Sequence, residues 1–203
     1  LQNFVDAILH GATLLAPAVE GIHSVELANA MLMSAWTDEA VTLPIDGKKY
    51  ERLLKQKIAA RGLTVNMTSL RVKNALPLAA AIADTRKQLE NAHTVGAAFA
   101  LTFGVDKPEH YEKYFKVMAD AAAFGQERGI KVVLKPHGGG SGASDEIRNA
   151  LKTVGHPNFK VWYDAGNIVY YTGKDPVAEL APIAEHVTGF CAKDCAAPKS
   201  EVM

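Results

Sequence analysis

From Gly62 onward, short apolar runs alternate with amphipathic segments, and this alternation limits the possible folds more than any other feature of the sequence. The apolar runs have the length and residue content of strands, and they lie at residues 63–70, 98–105, 130–137, 159–164 and 188–193. The segments between them, at residues 77–95, 108–128, 144–154 and 175–186, have helical spacing or helix-starting residues. Repeated βα units with short connections predict a parallel sheet. Right-handed crossovers then leave two architectures, a (β/α)8 barrel or an open doubly wound sheet.

The number of strands favours an α/β fold that is part of a TIM barrel. A full (β/α)8 barrel has eight strands and typically about 250 residues. This chain has 203 residues and five predicted strands. We therefore expect a partial (β/α)8 barrel over residues 61–203, with parallel strands and outer helices. On the same count, we expect the chain to be a truncated or fused piece of a longer protein.

Residues 1–60 are predicted to be a separate and mainly helical segment. Asn3 is placed to cap the first helix, and residues 21–36 have apolar side chains at the three-to-four spacing of a second. Asp46 is placed to cap a third helix. The predicted domains are therefore residues 1–60 and residues 61–203.

Charge and composition exclude several classes of partner. Lys and Arg total 22, and Asp and Glu also total 22, so we expect no broad nucleic-acid or membrane-surface binding. No apolar run approaches the roughly 18–20 residues of a membrane span, and no signal-peptide pattern is present. The default compartment is the cytoplasm. The two cysteines, Cys191 and Cys195, are expected to be reduced thiols, because four residues along a strand is too far for an easy disulfide.

Polar side chains close three of the predicted strands. The run Val132-Val133-Leu134 fits a strand buried on both faces, and it ends in Lys135, Pro136 and His137. Alternation along the strand places Lys135 and His137 on the same face. The carboxyl ends of parallel strands meet at one rim, where active sites are built. The later strands end in the same way, with Asp164 and Asn167 and then with Lys193 and Asp194.

These strand ends predict chemistry on a sugar. Proton transfer beside a carbonyl needs a base and an electrophile that stabilises the enediolate. A buried lysine would have a lowered pKa, which would make Lys135 a base or a Schiff-base amine. The structural alternative is that Lys135 and His137 only pair with carboxylates at the barrel mouth. The predicted catalytic residues are Lys135, His137, Lys193 and Asp194, and the predicted substrate-binding residues are Asn167, Gly138 and Gly139.

The glycine run after the third strand formally matches a dinucleotide fingerprint. Gly138, Gly140 and Ala143 satisfy G-x-G-x-x-A, and Asp164 follows about twenty residues later. In this chain, however, Lys135, Pro136 and His137 separate the apolar strand from the first glycine, whereas a fingerprint strand normally runs directly into it. Runs rich in glycine also match this pattern often by chance. The next helix also begins with acidic residues, which would repel a pyrophosphate. We therefore expect no nucleotide cofactor.

Residues 62–203 resemble the xylose-isomerase-like TIM-barrel family of sugar-phosphate isomerases and epimerases. The resemblance rests on the strings Lys131-Val-Val-Leu-Lys-Pro-His-Gly-Gly, Tyr163-Asp-Ala-Gly-Asn167 and Phe190-Cys-Ala-Lys-Asp194, which occur in the family's order. It implies a divalent metal (Mn, Mg or Zn) held by a Glu, an Asp, a His and a final Glu at successive strand ends. Asp164 matches the metal-binding Asp.

The chain departs from that metal-binding pattern at two positions. Lys135 stands where the resemblance places the first Glu, and Cys191 stands where it places the His. The last Glu would lie beyond Met203. A lysine ammonium brings positive charge and no lone pair, whereas a cysteine thiolate can be a ligand. We therefore expect either metal-free chemistry that uses Lys135 and His137, or a degenerate site.

Residues 1–60 resemble a different family. The strings Leu1-Gln-Asn-Phe-Val-Asp-Ala-Ile, Glu20-Gly-Ile-His-Ser-Val-Glu-Leu-Ala-Asn-Ala-Met31 and Thr42-Leu-Pro-Ile-Asp46 are similar to the C-terminal tail of the glucose–fructose oxidoreductase and inositol dehydrogenase family. That tail is structural in the family, so the resemblance assigns no catalytic residue to this chain.

The leading functional expectation is an isomerase or epimerase, or else a lyase, that acts on a small sugar or keto-sugar. One alternative is a non-catalytic sugar-binding or scaffold module with a degenerate metal site. Another is part of an NAD(P)-dependent sugar oxidoreductase, which the N-terminal resemblance suggests. The sequence leaves open whether the chain forms a homo-oligomer or pairs with a sugar oxidoreductase.

Overall fold

A computed structural model describes residues 2–199, which divide into two compact units, residues 2–63 and residues 64–199. The first unit contains three helices, α1 (Gln2–His10), α2 (Gly21–Thr37) and α3 (Gly47–Ala59). Asp46 caps α3 as predicted, because its Oδ1 accepts hydrogen bonds from the backbone amides of Lys48 and Lys49. Asn3 does not cap α1. It lies inside the helix, and its side chain bonds the backbone of Thr13 and Leu15 instead.

The second unit alternates strands with helices. The strands are β1 (Met67–Ser69), β2 (Phe99–Thr102), β3 (Lys131–Leu134), β4 (Phe159–Tyr163) and β5 (Val187–Phe190). The helices are α4 (Leu78–Thr94), α5 (Tyr111–Gln126), α6 (Ser144–Val154), α7 (Ala165–Thr172) and α8 (Pro176–Leu180), with short 3-10 turns before α5 and after α8. Among the described residues, no helix combines the length and the apolar character needed to cross a bilayer.

The five strands form one parallel sheet in the order β1-β2-β3-β4-β5. A doubly wound sheet would reverse its strand order at a switch point. Here each strand instead pairs with the next one in the chain, as in the wall of a (β/α)8 barrel. The prediction of a partial TIM barrel with parallel strands and outer helices is therefore confirmed.

The side chains of the strands alternate between the helix-covered face and the opposite face. Val132 and Leu134 pack into the main apolar core with residues of α4 and α5, while Val133 between them is also fully buried. The strand is thus buried on both faces, as its sequence predicts. By alternation, Val133, Lys135 and His137 lie on the face away from the helices, which is the interior face of a barrel wall.

The helix α7 was not predicted from the sequence. It begins directly after β4, because Asp164 accepts a hydrogen bond from the backbone amide of Asn167 at 2.8 Å and so caps the new helix. Asn167 therefore lies in the first turn of a helix rather than on an extended strand end. The fifth strand is also shorter than predicted, since it ends at Phe190 and leaves Lys193 on the segment that follows.

Candidate functional site

An ion pair between Lys135 and Asp164 forms the centre of the site. The backbone amide of Lys135 still bonds Thr102 at 2.9 Å, which holds the side chain at the carboxyl end of the sheet. The Lys135 Nζ lies 2.9 Å from Oδ2 of Asp164. The Asp164 side chain is fully buried, and 16% of the Lys135 side chain is exposed. Within residues 2–199, Oδ2 of Asp164 has no hydrogen-bond partner, so its contact with Lys135 is an ion pair.

The environment of Lys135 raises the pKa of its ammonium. Burial alone lowers this pKa, but the Asp164 carboxylate outweighs that effect, and the Cys191 thiol adds to it. The expectation of a lowered pKa is therefore wrong. The reason is that it considered burial without the neighbouring carboxylate. At neutral pH Lys135 is a fixed cation, which suits it to stabilise negative charge on a substrate rather than to accept a proton.

Lys193 and Asn167 extend the cluster around Asp164. The Lys193 ammonium donates a hydrogen bond to Oδ1 of Asn167 and lies 4.0 Å from Oδ2 of Asp164. Nδ2 of Asn167 donates to the carbonyl of Pro136 at 2.6 Å. The amide of Asn167 thus connects the ends of β3 and β4 to Lys193. Lys135, Asp164, Asn167 and Lys193 are brought together, as their strand-end positions predict.

His137 lies beside this cluster and faces a cavity. Its Nε2 is 3.1 Å from the hydroxyl of Tyr171, and its ring packs against Phe103 at 5.2 Å and against Tyr171 at 4.7 Å between centroids. Burial raises the pKa of Tyr171, so its hydroxyl keeps its proton at neutral pH. The cavity has a volume of about 370 Å³, and its lining includes Arg71 and Asp106.

Phe103 joins the lysine and the histidine into one site. The Lys135 Nζ lies 5.6 Å from the centroid of the Phe103 ring, which also contacts His137. This shared neighbour confirms that the two basic side chains lie on one face of the sheet. Sequence reasoning missed Phe103, although it directly follows a strand, and it missed Tyr171 because α7 itself was not predicted.

Gly138 and Gly139 allow the loop after β3 to pack closely against its neighbours. Both have positive φ, at 83° and 49°. A Cβ on Gly138 would lie 3.1 Å from the ring of Tyr171, and one on Gly139 would lie 2.5 Å from the Cα of Asp106. Close packing thus explains both glycines, and their predicted contact with substrate stays a prediction.

Asp194 and Cys191 are placed differently from each other. Asp194 is exposed, and its Oδ1 accepts a hydrogen bond from the backbone amide of Cys195 at 2.8 Å. In the described part of the chain, no hydrogen bond or ion pair connects Asp194 to Lys135 or His137. Cys191 is closer, since its amide bonds the carbonyl of Tyr163 at 2.7 Å and its thiol contacts the Lys135 ammonium. Both cysteines are free thiols.

The residues around Asp164 do not fit a divalent metal. Residues 2–199 contain no group of three His, Cys, Asp or Glu side chains arranged to hold a metal ion. Asp164, the one buried carboxylate among residues 2–199, has two ammonium groups within 4.0 Å of its Oδ2. A divalent cation at this position would be repelled by both.

Comparison with known proteins places this geometry in a family. Residues 18–201 match the family described as xylose isomerase-like TIM barrel. The match begins within the predicted N-terminal segment, so it extends beyond the part of the chain that carries the barrel strands. A search among curated proteins found no match.

Solved structures share the fold at low sequence identity. The probable 3-DHS dehydratase AsbF, involved in petrobactin synthesis, from Bacillus anthracis is 16% identical with a TM-score of 0.57, over 71% of this chain and 56% of its own. D-psicose 3-epimerase from Clostridium cellulolyticum, solved with D-tagatose, is 14% identical with a TM-score of 0.58, over 70% and 56%. A xylose isomerase-like TIM-barrel protein from Mycobacterium smegmatis, in complex with magnesium, is 15% identical with a TM-score of 0.59, over 88% and 68%.

The coverage differs between these proteins. This chain spans less than two thirds of the length of the dehydratase and of the epimerase. At these identities the likeness is one of fold. The family match, in contrast, covers most of the sequence and agrees with the consecutive parallel strand order. The chain therefore belongs to the xylose isomerase-like TIM barrel family.

Proposed function

We propose that this chain is an isomerase, epimerase or lyase that moves a proton beside the carbonyl of a small sugar or keto-sugar. The observation that carries the proposal is the pairing of a fixed ammonium, Lys135, with an imidazole, His137, around the single ring of Phe103. The two fold relatives described as an epimerase and a dehydratase support this reaction class. Isomerisation, epimerisation and elimination can all begin with the same step, the loss of a proton from the carbon next to the carbonyl.

Each side chain has a distinct role in this scheme. His137 removes the proton, since imidazole is the commonest general base in enzymes. The Lys135 ammonium stabilises the oxyanion of the enediolate that forms, and Asp164 keeps that ammonium charged and in place. Return of the proton from His137 to the other carbon, with transfer of the enediol hydroxyl proton between the two oxygens, isomerises the sugar. Epimerisation instead requires a second acid to deliver a proton to the original carbon from the opposite face. Loss of a neighbouring hydroxyl as water makes the reaction an elimination.

The remaining predicted residues support these two groups. Lys193 is a second cation next to Asp164, and Asn167 positions it. Tyr171 orients the imidazole of His137 through the hydrogen bond to Nε2. Asp194 keeps its predicted catalytic role only as a hypothesis, because the hydrogen bond of its carboxylate is made to a local backbone amide.

Solvent exchange tests the first step without knowledge of the product. The full chain is incubated with a panel of keto-sugars in deuterated water, and NMR measures deuterium at the carbon beside the carbonyl. We expect His137→Gln to slow the exchange by about 10²–10⁴-fold, because the general base is lost. We expect Lys135→Met to slow it by about 10²–10³-fold, because the charge facing the oxyanion is lost.

The matched control is Lys152→Met, which removes an exposed lysine on α6 outside the site. This variant should exchange at the rate of the parent protein. Circular dichroism confirms that each variant keeps its fold. Parent-like exchange in both His137→Gln and Lys135→Met would remove the proposed roles.

A second candidate function is a sugar-binding module without catalysis. It is favoured by the ammonium groups around Asp164, because they replace the metal-binding charge pattern that the resemblance implies. Calorimetry distinguishes the two functions. Binding of a keto-sugar by the parent chain, with no deuterium exchange in that same sugar, would favour the binding module.

A further inference from the structure

Three basic side chains surround the ring of Phe103. The Arg71 guanidinium carbon lies 5.8 Å from the ring centroid, the Lys135 Nζ lies 5.6 Å from it, and the His137 ring lies 5.2 Å away. Of these three, only Arg71 has no role in the proposed proton transfer. Its position follows β1, so it enters the same rim from a different strand.

Arg71 has a fixed backbone and a guanidinium without a carboxylate partner. Its amide donates to Oε1 of Gln88 at 3.0 Å, and its carbonyl accepts from Nε2 of Gln88 at 2.8 Å. Arg71 makes no ion pair with any described acidic residue. Arg86 and Arg128, in contrast, are both paired with carboxylates. The backbone of Arg71 is fixed by hydrogen bonds and its guanidinium has no carboxylate partner, so the guanidinium can bind an anionic group of a ligand.

The cavity beside Arg71 is small and polar. Its volume of about 370 Å³ lies at the lower end of the range for ligand pockets, which suits a molecule of the size of one sugar. Asn74 also lines this cavity, and its Oδ1 is buried with no hydrogen-bond partner in the described chain. Asp106 is the one carboxylate among the lining residues, and it is exposed.

The charge of the rim favours an anion with a single negative charge. Lys135 and Lys193 both lie beside the Asp164 carboxylate, whereas Arg71 has no ion-pair partner among the described residues, so Arg71 supplies the one positive charge that an anion can meet. A carboxylate matches this charge, and its two oxygens match the planar fork of a guanidinium. A phosphate dianion carries a second negative charge, which the single charge of Arg71 does not match.

We propose that Arg71 selects sugars that carry a carboxylate, and that it binds this carboxylate in the cavity next to His137. The inference deepens the proposed function, because it names the substrate class of the same site. It requires only binding and not turnover. Arg71 is therefore a specificity-determining residue, and the sugar lies between its guanidinium and the Lys135–His137 pair.

Calorimetric titration of the full chain with three probes tests this assignment. The probes are glucuronate, glucose and glucose 6-phosphate, which share one ring and differ in the group at the sixth carbon. We expect glucuronate to bind at least about tenfold more tightly than glucose, and more tightly than glucose 6-phosphate. In Arg71→Gln the preference for glucuronate over glucose should disappear, while the affinity for glucose stays the same.

The matched control is Arg148→Gln, which removes an exposed arginine on α6 that pairs with Asp145. This variant should keep the full preference for glucuronate. Equal binding of glucuronate and glucose by the parent, tighter binding of the phosphate, or a preserved preference in Arg71→Gln would each overturn the inference. If the parent chain prefers glucuronate but shows no deuterium exchange with any keto-sugar, the proposed function is overturned and this inference stands.

Discussion

At the scale of single residues, Asp164 is the side chain on which the site depends. One of its oxygens caps α7 through the amide of Asn167, and the other holds the ammonium of Lys135. The two tasks use different properties of the carboxylate, because capping needs only an acceptor and pairing needs the charge. Substitutions that separate the two properties can therefore measure each contribution.

We expect Asp164→Asn to lower the free energy of unfolding by about 2 kcal/mol. The amide oxygen keeps the cap, but Lys135 then loses its counterion while its side chain stays largely buried. Asp164→Ala removes the cap as well and should cost about 1 kcal/mol more. Urea unfolding of the full chain measures both values. Equal destabilisation by the two variants would show that the acceptor at the start of α7 contributes nothing.

The sequence predicted the position of Lys135 but not the direction of its pKa shift. The sequence predicts that this lysine lies at a strand end, and in the structure it directly follows β3 with 16% of its side chain exposed. The direction of its pKa shift depends on Asp164, which is 29 positions later in the chain. Only the pairing of β3 with β4 brings the carboxylate next to the ammonium.

At the scale of elements, the loop after β3 depends on close contact with the loop after β2. The φ of Gly139 is 49°, and a Cβ there would lie 2.5 Å from the Cα of Asp106 and 2.8 Å from the carbonyl oxygen of Val105. Backbone atoms cannot move aside as the end of a flexible side chain can. The loop after β3 is thus positioned by the absence of a side chain at Gly139.

We expect Gly139→Ala to destabilise the protein by about 3 kcal/mol, because it adds a steric clash to an unfavourable backbone conformation. The matched variant is Gly155→Ala, at the end of α6. There φ is 62° and the nearest atom to a new Cβ is 3.6 Å away. That change should cost only about 1 kcal/mol. Urea unfolding compares the two, and a similar loss in both would show that the contact with Asp106 is unimportant.

Local capping signals predicted several elements well. Asp46 caps α3 and Asp175 caps α8, both through backbone amides in the first turn. The helix predicted at residues 144–154 is observed as Ser144–Val154. The helix α7 was missed because its sequence, rich in β-branched and aromatic residues, resembles the end of a strand. Its cap works only after Asp164 has been placed at the end of β4.

At the scale of the whole molecule, we expect stability to fall at alkaline pH. Burial raises the pKa of Tyr163 to about 12 and also raises the pKa of Tyr114, while Asp164 raises the pKa of Lys135 against the effect of burial. A group with a raised pKa in the folded state contributes stability that is fully present below its unfolded-state pKa. This contribution is lost as the pH rises through the folded-state pKa. The free energy of unfolding should therefore decrease between about pH 10 and pH 12.

Urea unfolding of the full chain at several pH values from 8 to 12 measures this decrease. Tyr163→Phe removes one of the contributing groups, so the decrease should be shallower in that variant. A flat profile in the parent chain, or an identical slope in Tyr163→Phe, would contradict the assignment. The comparison of slopes does not depend on the absolute stability of the variant.

The sequence by itself determined the five strands, the helices of the second unit apart from α7, and the parallel arrangement, because apolar spacing and capping act over a few residues. It also placed Lys135, His137, Asp164 and Lys193 at strand ends. Only the tertiary structure decided that the strands follow one another in order, that Lys135 is a paired cation, that Arg71 and Phe103 line the same cavity as His137, and that Tyr171 contacts His137. The physical reason is distance along the chain, since electrostatic and aromatic contacts between separate βα units exist only after the sheet has brought those units together.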